Sequence, residues 1–243
     1  MLLAAGRGER MRPLTDTCPK PLLKVGGQPL IVWHLQRLAA AGFREVVINH
    51  AYMGEKIVAE LGDGQGYGLT IHYSPEPHGA LETAGGIAKA LPLLGTKPFL
   101  VVSADIFCDW DLRRAFQLGK RIEAGSSNAH LVLVPNPAYH LGGDFLMAGE
   151  QVYDDESGSS GERLTFGNIG IYHPALFAGV SPGESARLGP LMRSWMQEGK
   201  VTGERYDGTW ANIGNPEQLH ELDALLGGAP KAILMGTTNE PEK

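Results

Sequence analysis

Cysteine is scarce, with only Cys18 and Cys108 among 243 residues. Two thiols cannot build a disulfide framework and show no metal-ligand spacing, so reduced thiols in a cytoplasmic protein are expected. Long apolar runs are missing too. None approaches the roughly 20 residues needed to span a bilayer. The apolar start, Met1 to Ala5, is too short for a secretory signal. There is no excess of positive charge, the formal net charge being −6, which argues against nucleic acid as a partner. No internal repeat is present, and in particular no hexapeptide β-helix period.

What is present is a chain with 43% hydrophobic and 20% charged residues, enough to bury a sizeable core. Its basic residues gather at the start. Residues 1–24 hold Arg7, Arg10, Arg12, Lys20 and Lys24 against Glu9 and Asp16, a local +3, which leaves −9 for the remainder (−6 minus +3). A positive loop in an acidic protein suits a small anionic ligand.

That segment reads Met1-Leu2-Leu3-Ala4-Ala5-Gly6-Arg7-Gly8-Glu9-Arg10-Met11-Arg12-Pro13-Leu14-Thr15, followed by Pro19-Lys20-Pro21-Leu22. It predicts a buried strand feeding a loop whose amides can approach a polyphosphate, since Gly6 and Gly8 lack a Cβ. Arginine forks and a lysine point charge complement phosphate oxygens. Prolines on both sides bias Lys20 toward an extended backbone. A dinucleotide loop does not fit, because Met11 stands where the third glycine belongs. A Walker A loop fails for want of Gly-Lys-Ser/Thr.

Leu3-Ala4-Ala5-Gly6-x-Gly8-x-Arg10-Met11-x-Pro13-Leu14-Thr15, with Pro19-Lys20-Pro21-Leu22, resembles the signature of the sugar-1-phosphate nucleotidyltransferases. The resemblance implies a nucleoside triphosphate and a sugar 1-phosphate as substrates and Mg²⁺ as cofactor. It places Ala4, Ala5, Gly6, Arg7, Gly8, Glu9, Arg10 and Lys20 at the nucleotide, with Arg10 and Lys20 catalytic.

Hydrophobic periodicity predicts alternating helices and strands. Helices are expected near residues 30–39, 55–61, 83–91, 111–123, 188–198 and 217–226. Strands are expected near 45–49, 69–73, 99–102, 130–134 and 201–206. Such alternation means a doubly wound, Rossmann-like, mostly parallel α/β sheet, with ligands beyond the carboxyl ends of the strands. The first strand is short for this fold, which leaves room for a few residues upstream of Met1. From Pro135 to Tyr172 the pattern becomes hairpin-like, a small β-rich part, with a mobile loop expected over Asp154 to Gly161. We expect one domain over residues 1–226, with a nucleotide-binding half (1–134) and a sugar-binding half (135–226). Residues 227–243 are expected to form a flexible tail.

Several further segments carry candidate chemistry. Asp105 follows an apolar strand and reads either as a turn aspartate or as a Mg²⁺ ligand. The family resemblance favours the metal, with Ala104 in place of the usual glycine. Trp210-Ala211-Asn212-Ile213-Gly214-Asn215-Pro216-Glu217 is similar to a family segment whose second metal-binding aspartate is Asn212 here, a carbonyl ligand without charge. Asp207 is a candidate helper carboxylate. Thr83, Gly85 and Gly86 open a helix where the family holds the nucleobase, although capping by Thr83 would explain the same pattern.

Asn136-Pro137-Ala138-Tyr139-His140-Leu141-Gly142-Gly143-Asp144-Phe145 resembles the N-acetylmuramate-1-phosphate uridylyltransferase branch. Asp144 either binds a sugar hydroxyl or stabilises a hairpin. Asn168, in Asn168-Ile169-Gly170-Ile171-Tyr172, is implied as a sugar partner, and Arg163 is the nearest basic residue for the sugar phosphate. His34 reads as a satisfied core residue rather than a ligand. The expected activity is uridylyl transfer from UTP to a sugar 1-phosphate in cell-wall sugar recycling, by a monomer or small homo-oligomer without nucleic-acid or membrane partners. The alternatives are mannose-1-phosphate guanylyl transfer and a nucleotide-sugar binding protein that lacks turnover.

Overall fold

The computed structural model describes residues 1–154 and 160–228. The first half runs β1 (Leu2–Leu3), β2 (Lys24–Val25), β3 (Gln28–Pro29), α1 (Leu30–Ala40), β4 (Glu45–His50), α2 (Gly54–Leu61), β5 (Thr70–Pro75), α3 (Glu82–Leu94), β6 (Phe99–Ser103), β7 (Ile106–Cys108), α4 (Arg114–Glu123) and β8 (Ala129–Val134). The second half adds β9 (Phe145–Ala148), β10 (Gln151–Tyr153), β11 (Glu162–Tyr172), α5 (Leu188–Gln197), β12 (Val201–Arg205), β13 (Trp210–Asn212) and α6 (Pro216–Gly228).

Nine strands form one sheet in the order β5-β4-β1-β6-β11-β8-β12-β10-β9. The strands β5, β4, β1 and β6 are mutually parallel. β11 runs against both β6 and β8, so these two share a direction, and β12 follows β8. Only β11 and β10 oppose the rest. The hairpin-like second half therefore continues the parallel sheet instead of forming a sheet of its own.

Side chains alternate across the sheet with period two, and both faces are apolar because helices cover both. Leu2, Val46, Ile48, Leu100, Val102, Val132, Ile169 and Ile171 face one core with residues of α1, α2 and α4. Val47, Phe99, Val101, Leu131, Leu133 and Tyr172 face the other with α3 and α5. A third cluster packs Met11 and Val25 against Trp33 of α1, Ile213 and Leu226 of α6. It ties the glycine loop to the end of the chain.

The helices match the sequence pattern with three differences: α3 runs on past the expected residue 91 to Leu94, and the other two concern α4 and α6. α4 begins at Arg114 rather than Asp111, because the Asp111 carboxylate accepts the Arg113 amide (3.0 Å) and holds residues 111–113 in a turn. α6 carries on through Gly227 and Gly228, past the expected start of the tail. Residues 155–159 of the expected mobile loop and 229–243 of the tail lie outside the described residues.

Candidate active site

β1 ends at Leu3, and the chain then crosses the carboxyl edge of the sheet as an irregular loop before a 3-10 turn at Glu9–Met11. The Ala4 amide donates to Asn49 Oδ1 (3.0 Å), so Ala4 lines the cleft but has no amide to offer a ligand. Among the described residues, no acceptor meets the amides of Ala5, Gly6, Arg7 or Gly8. Consecutive backbone donors left free in this way are available to water or to an anion.

The two glycines do different work. Gly8 sits at φ +69°, and a Cβ there would stand 3.1 Å from both Lys20 Cβ and Thr15 Cγ2. A side chain at position 8 would strain the backbone and crowd Lys20 and Thr15. Gly6 has ordinary φ, and no protein atom lies within 4 Å of where a Cβ would stand, so folding does not require glycine there.

Lys20 is 8% exposed and lies in a 3-10 turn, Lys20–Leu22, after an extended Pro19, not in the extended shape expected of it. Its Nζ donates to Asp105 Oδ2 at 2.7 Å, while the Asp105 side chain stays 39% exposed to the cleft. Asn212 is adjacent to Asp105. It pairs with Ile106 in the β7–β13 ladder, and the Ile213 amide donates to the Asp105 carbonyl (2.9 Å). The Arg10 guanidinium lies on the same wall, 3.6 Å from the position of a Cβ on Gly214. Of the other loop residues, Arg7 stacks over Tyr52 (5.0 Å to the ring centroid) beside Glu9, and Arg12 turns away to Asp16 (2.7 Å).

The Asp105–Asn212 pair offers hard oxygen donors of the kind Mg²⁺ takes. Among the described residues no cluster of three or more His, Cys, Asp or Glu has metal-binding geometry. A cation here would complete its shell with phosphate and water oxygens, as Mg²⁺ does. The expected helper Asp207 is not part of this set: both its oxygens accept from Arg205 (2.7 and 3.0 Å).

Lys20 and Asp105 line a cavity of about 350 Å³ together with Ala4, Gly6, Asn49, Thr83 and Ser103, whereas Arg7, Gly8, Glu9, Arg10 and Asn212 lie outside its lining. Thr83 does not cap α3; it faces the cavity. Gly85 and Gly86 correct the sequence reading. Both are buried inside α3, and a Cβ would collide with the Glu184 carbonyl (2.2 Å) at Gly85 and with Asn49 Nδ2 and Glu76 Oε1 (2.8 Å each) at Gly86. They allow protein to approach the helix, and neither lines the cavity.

Sequence reasoning missed the buried network beneath. Asn49 Nδ2 donates to Glu76 Oε1 (2.7 Å), and Glu76 Oε2 accepts the Leu81 amide (2.8 Å). With the Ala4 contact, this network joins the glycine loop to the start of α3. Asn49 is the penultimate residue of β4 and Glu76 follows β5, positions that a period-two pattern does not mark.

A second cavity, about 280 Å³, shares Leu3, Glu82, Thr83 and Ser103 with the first. Asn168 lines it from a bulge in β11, where the register slips between Phe166 and Ile169 and Asn168 takes φ +58°. Trp210 Nε1 donates to the Gly167 carbonyl (2.9 Å), linking this bulge to the Asn212 strand. Asp144 is placed otherwise. Its Oδ2 accepts the Phe166 amide (2.9 Å) and its Oδ1 meets His140 Nε2 (3.0 Å), so it secures the strand junction and lines neither cavity. Arg163 lies in the β9 ladder opposite Leu146, also away from both linings.

α1 supports the site from behind. His34 Nε2 bonds the Ile106 carbonyl (2.7 Å), and Arg37 donates to the carbonyls of Cys108 and of Trp110 (2.7 Å). Burial pushes the His34 pKa from 6.5 to about 4 and lowers that of Arg37. The neutral imidazole is a structural group, as its sequence context suggested, and with Arg37 it fixes the strand that follows Asp105.

Comparison with known proteins agrees with this geometry. The model of the nucleotidyl transferase family matches residues 1–139. The N-acetylmuramate alpha-1-phosphate uridylyltransferase of Neisseria meningitidis serogroup B is 53% identical over 228 residues, covering 93% of this chain and 97% of that protein. The protein of the same description from Caulobacter vibrioides is 31% identical, over 94% and 97%. The mannose-1-phosphate guanylyltransferase of Mycobacterium tuberculosis is 36% identical over only 56% of this chain and 38% of its own. A Bacillus anthracis crystal structure, assigned as a glucose-1-phosphate thymidylyltransferase in complex with sucrose, superposes with a TM-score of 0.78 over 94% of this chain and 95% of that one at 20% identity, a likeness of fold. With more than half of the chain matched by the family model and relatives aligned along nearly its whole length, the chain belongs to the nucleotidyl transferase family.

Proposed function

We propose that this enzyme transfers the uridylyl group of UTP to N-acetylmuramate α-1-phosphate, releasing pyrophosphate, in cytoplasmic recycling of cell-wall sugar. The chemistry rests on one observation above all. Four consecutive amides without acceptors run from Ala5 to Gly8, and Ala5 and Gly6 line the cleft that holds the Lys20–Asp105 pair. The choice of substrate rests on the Neisseria and Caulobacter relatives. The mannose-specific relative of Mycobacterium tuberculosis aligns over 56% of this chain, against 93% and 94% for those two.

In this reading residues 1–134 hold the nucleotide and residues 135–226 the sugar. The amides of Ala5 to Gly8, with the Arg10 guanidinium, take up the charge of the β- and γ-phosphates and stabilise the departing pyrophosphate. Lys20 donates to the α-phosphate and to the incoming sugar phosphate, holding the two in line. A sugar-phosphate oxygen attacks the α-phosphorus, that P–O bond forms as the bond to pyrophosphate breaks, and no covalent enzyme intermediate arises. Asp105 and the Asn212 amide oxygen would hold Mg²⁺, which supplies charge neutralisation at the triphosphate. Thr83 contacts the nucleobase and Asn168 the sugar.

The test is to supply UTP labelled at its α-phosphorus. Direct transfer predicts label in a UDP-sugar and none on the protein; label bound covalently to the protein would refute the in-line scheme.

A further inference from the structure

We propose that Arg187 and the first turn of α5 bind the carboxylate of the sugar substrate and so select an acidic sugar over a neutral one. This rests on the N-acetylmuramate reading above. N-acetylmuramate differs from N-acetylglucosamine by a lactyl ether, which adds a methyl group and a carboxylate.

Arg187 lines the second cavity together with Leu188 and Gly189. Its side chain is 78% exposed, and its nearest counter-charge is Glu82, at a loose 3.8 Å. Among the described residues its guanidinium makes no hydrogen bond. The position does not serve the helix. Arg187 is the N-cap of the ten-residue α5, offers no capping side-chain bond, and places a cation where the helix dipole is already positive. The amides of Leu188 and Gly189 lack acceptors, and a Cβ on Gly189 would meet nothing within 4 Å. A cation beside free amides at a helix start is an arrangement that favours an anion.

An independent observation comes from the opposite wall. Tyr172 is 1% exposed and lines the same cavity, and its hydroxyl has no hydrogen-bond partner among the described residues. A buried hydroxyl left unpaired is unfavourable unless a ligand oxygen or nitrogen meets it. Gly170 leaves the space this hydroxyl occupies, since a Cβ there would lie 2.4 Å from it. Leu188 and Met192 add apolar surface for a methyl group. A donor fork, two free amides, an unpaired hydroxyl and an apolar patch together match a sugar carrying a lactyl group. In the free protein Glu82 stands near the guanidinium, and the substrate carboxylate takes its place.

The experiment compares the wild type with Arg187→Gln and Arg187→Lys, each with N-acetylmuramate 1-phosphate and N-acetylglucosamine 1-phosphate. Arg187→Gln should raise KM for the acidic sugar about tenfold or more, the loss expected for one charge-assisted contact. It should leave KM for UTP and for the neutral sugar in place, and Arg187→Lys should recover part of the preference. An unchanged ratio between the two sugars would overturn the proposal. So would equal losses on both, which would assign Arg187 to the shared phosphate. A wild type inert toward N-acetylmuramate 1-phosphate but active with another sugar would instead overturn the underlying reading, and the proposal with it. Stabilisation of each variant by UTP confirms that it is folded.

Discussion

Gly6→Ala separates folding from function at a single methyl group. The backbone at position 6 has no positive φ, and no protein atom lies within 4 Å of the added Cβ. Removing a glycine at an unstrained position stabilises by about 0.4–1 kcal/mol through the unfolded chain, so stability should hold or rise slightly. The methyl group would nevertheless project beside the free amides, where the triphosphate is proposed to lie. Losing one charge-assisted amide–phosphate bond costs about 1.5–3 kcal/mol, or roughly a ten- to hundredfold fall in kcat/KM for UTP. Gly8→Ala provides the contrast. Its φ of +69° and the 3.1 Å approaches to Lys20 and Thr15 predict a stability loss of about 1–2 kcal/mol from backbone strain alone. That corresponds to a fall in Tm of several degrees at this chain length. Thermal unfolding and pyrophosphate release, titrated with UTP, read both effects. A Gly6→Ala variant as stable as the wild type and fully active with UTP would refute the phosphate-loop assignment.

Three other perturbations follow from the same geometry. Lys20→Met keeps the buried stem but removes the charge; kcat should fall about a hundredfold or more, whereas stability should change little because Asp105 can rehydrate at the cleft. Turnover near normal would take Lys20 out of the mechanism. Asn212→Asp places a second carboxylate beside Asp105 and should lower the Mg²⁺ concentration needed for half-maximal rate; an unmoved requirement would exclude residue 212 as a ligand. Acid should destabilise the fold through His34 and His130, whose pKa values burial holds at about 4 against 6.5 in the open chain. Their contribution is complete above pH 6.5 and is lost as pH falls toward 4, because only the unfolded chain takes up the protons in that window. Each is worth roughly 3 kcal/mol at most. Denaturant midpoints across that range should fall, and His34→Gln should flatten the slope; an identical slope in the variant would contradict the assignment.

The sheet was legible because its strands are buried on both faces and its helices carry clear apolar stripes. Runs such as Phe99–Ser103 and Leu30–Ala40 stand out on periodicity alone. β7, β13 and the β2–β3 hairpin, two or three residues each, are too short to show a period. Yet β7 and β13 are what bring Asp105 and Asn212 together. The sequence of the glycine loop does not distinguish Gly6, with open space at its Cβ position, from Gly8, closed on Lys20. Gly85 and Gly86 misled for a related reason: a glycine signals close approach without saying whether ligand or protein approaches. Asp144 left two readings open, and the hydrogen bonds of both its oxygens to the strand junction decide for structure. Asn49 lies 45 residues from the Ala4 amide and 27 from Glu76, and only the folded chain joins them.

The most direct measurement is pyrophosphate release with Mg²⁺ across four nucleoside triphosphates and a set of sugar 1-phosphates that includes N-acetylmuramate and mannose. Uridylyl transfer predicts release with UTP and N-acetylmuramate 1-phosphate and little elsewhere. Release with GTP and mannose 1-phosphate instead would contradict the substrate assignment, and silence across the whole grid, with UTP still raising the melting temperature, would contradict catalysis itself.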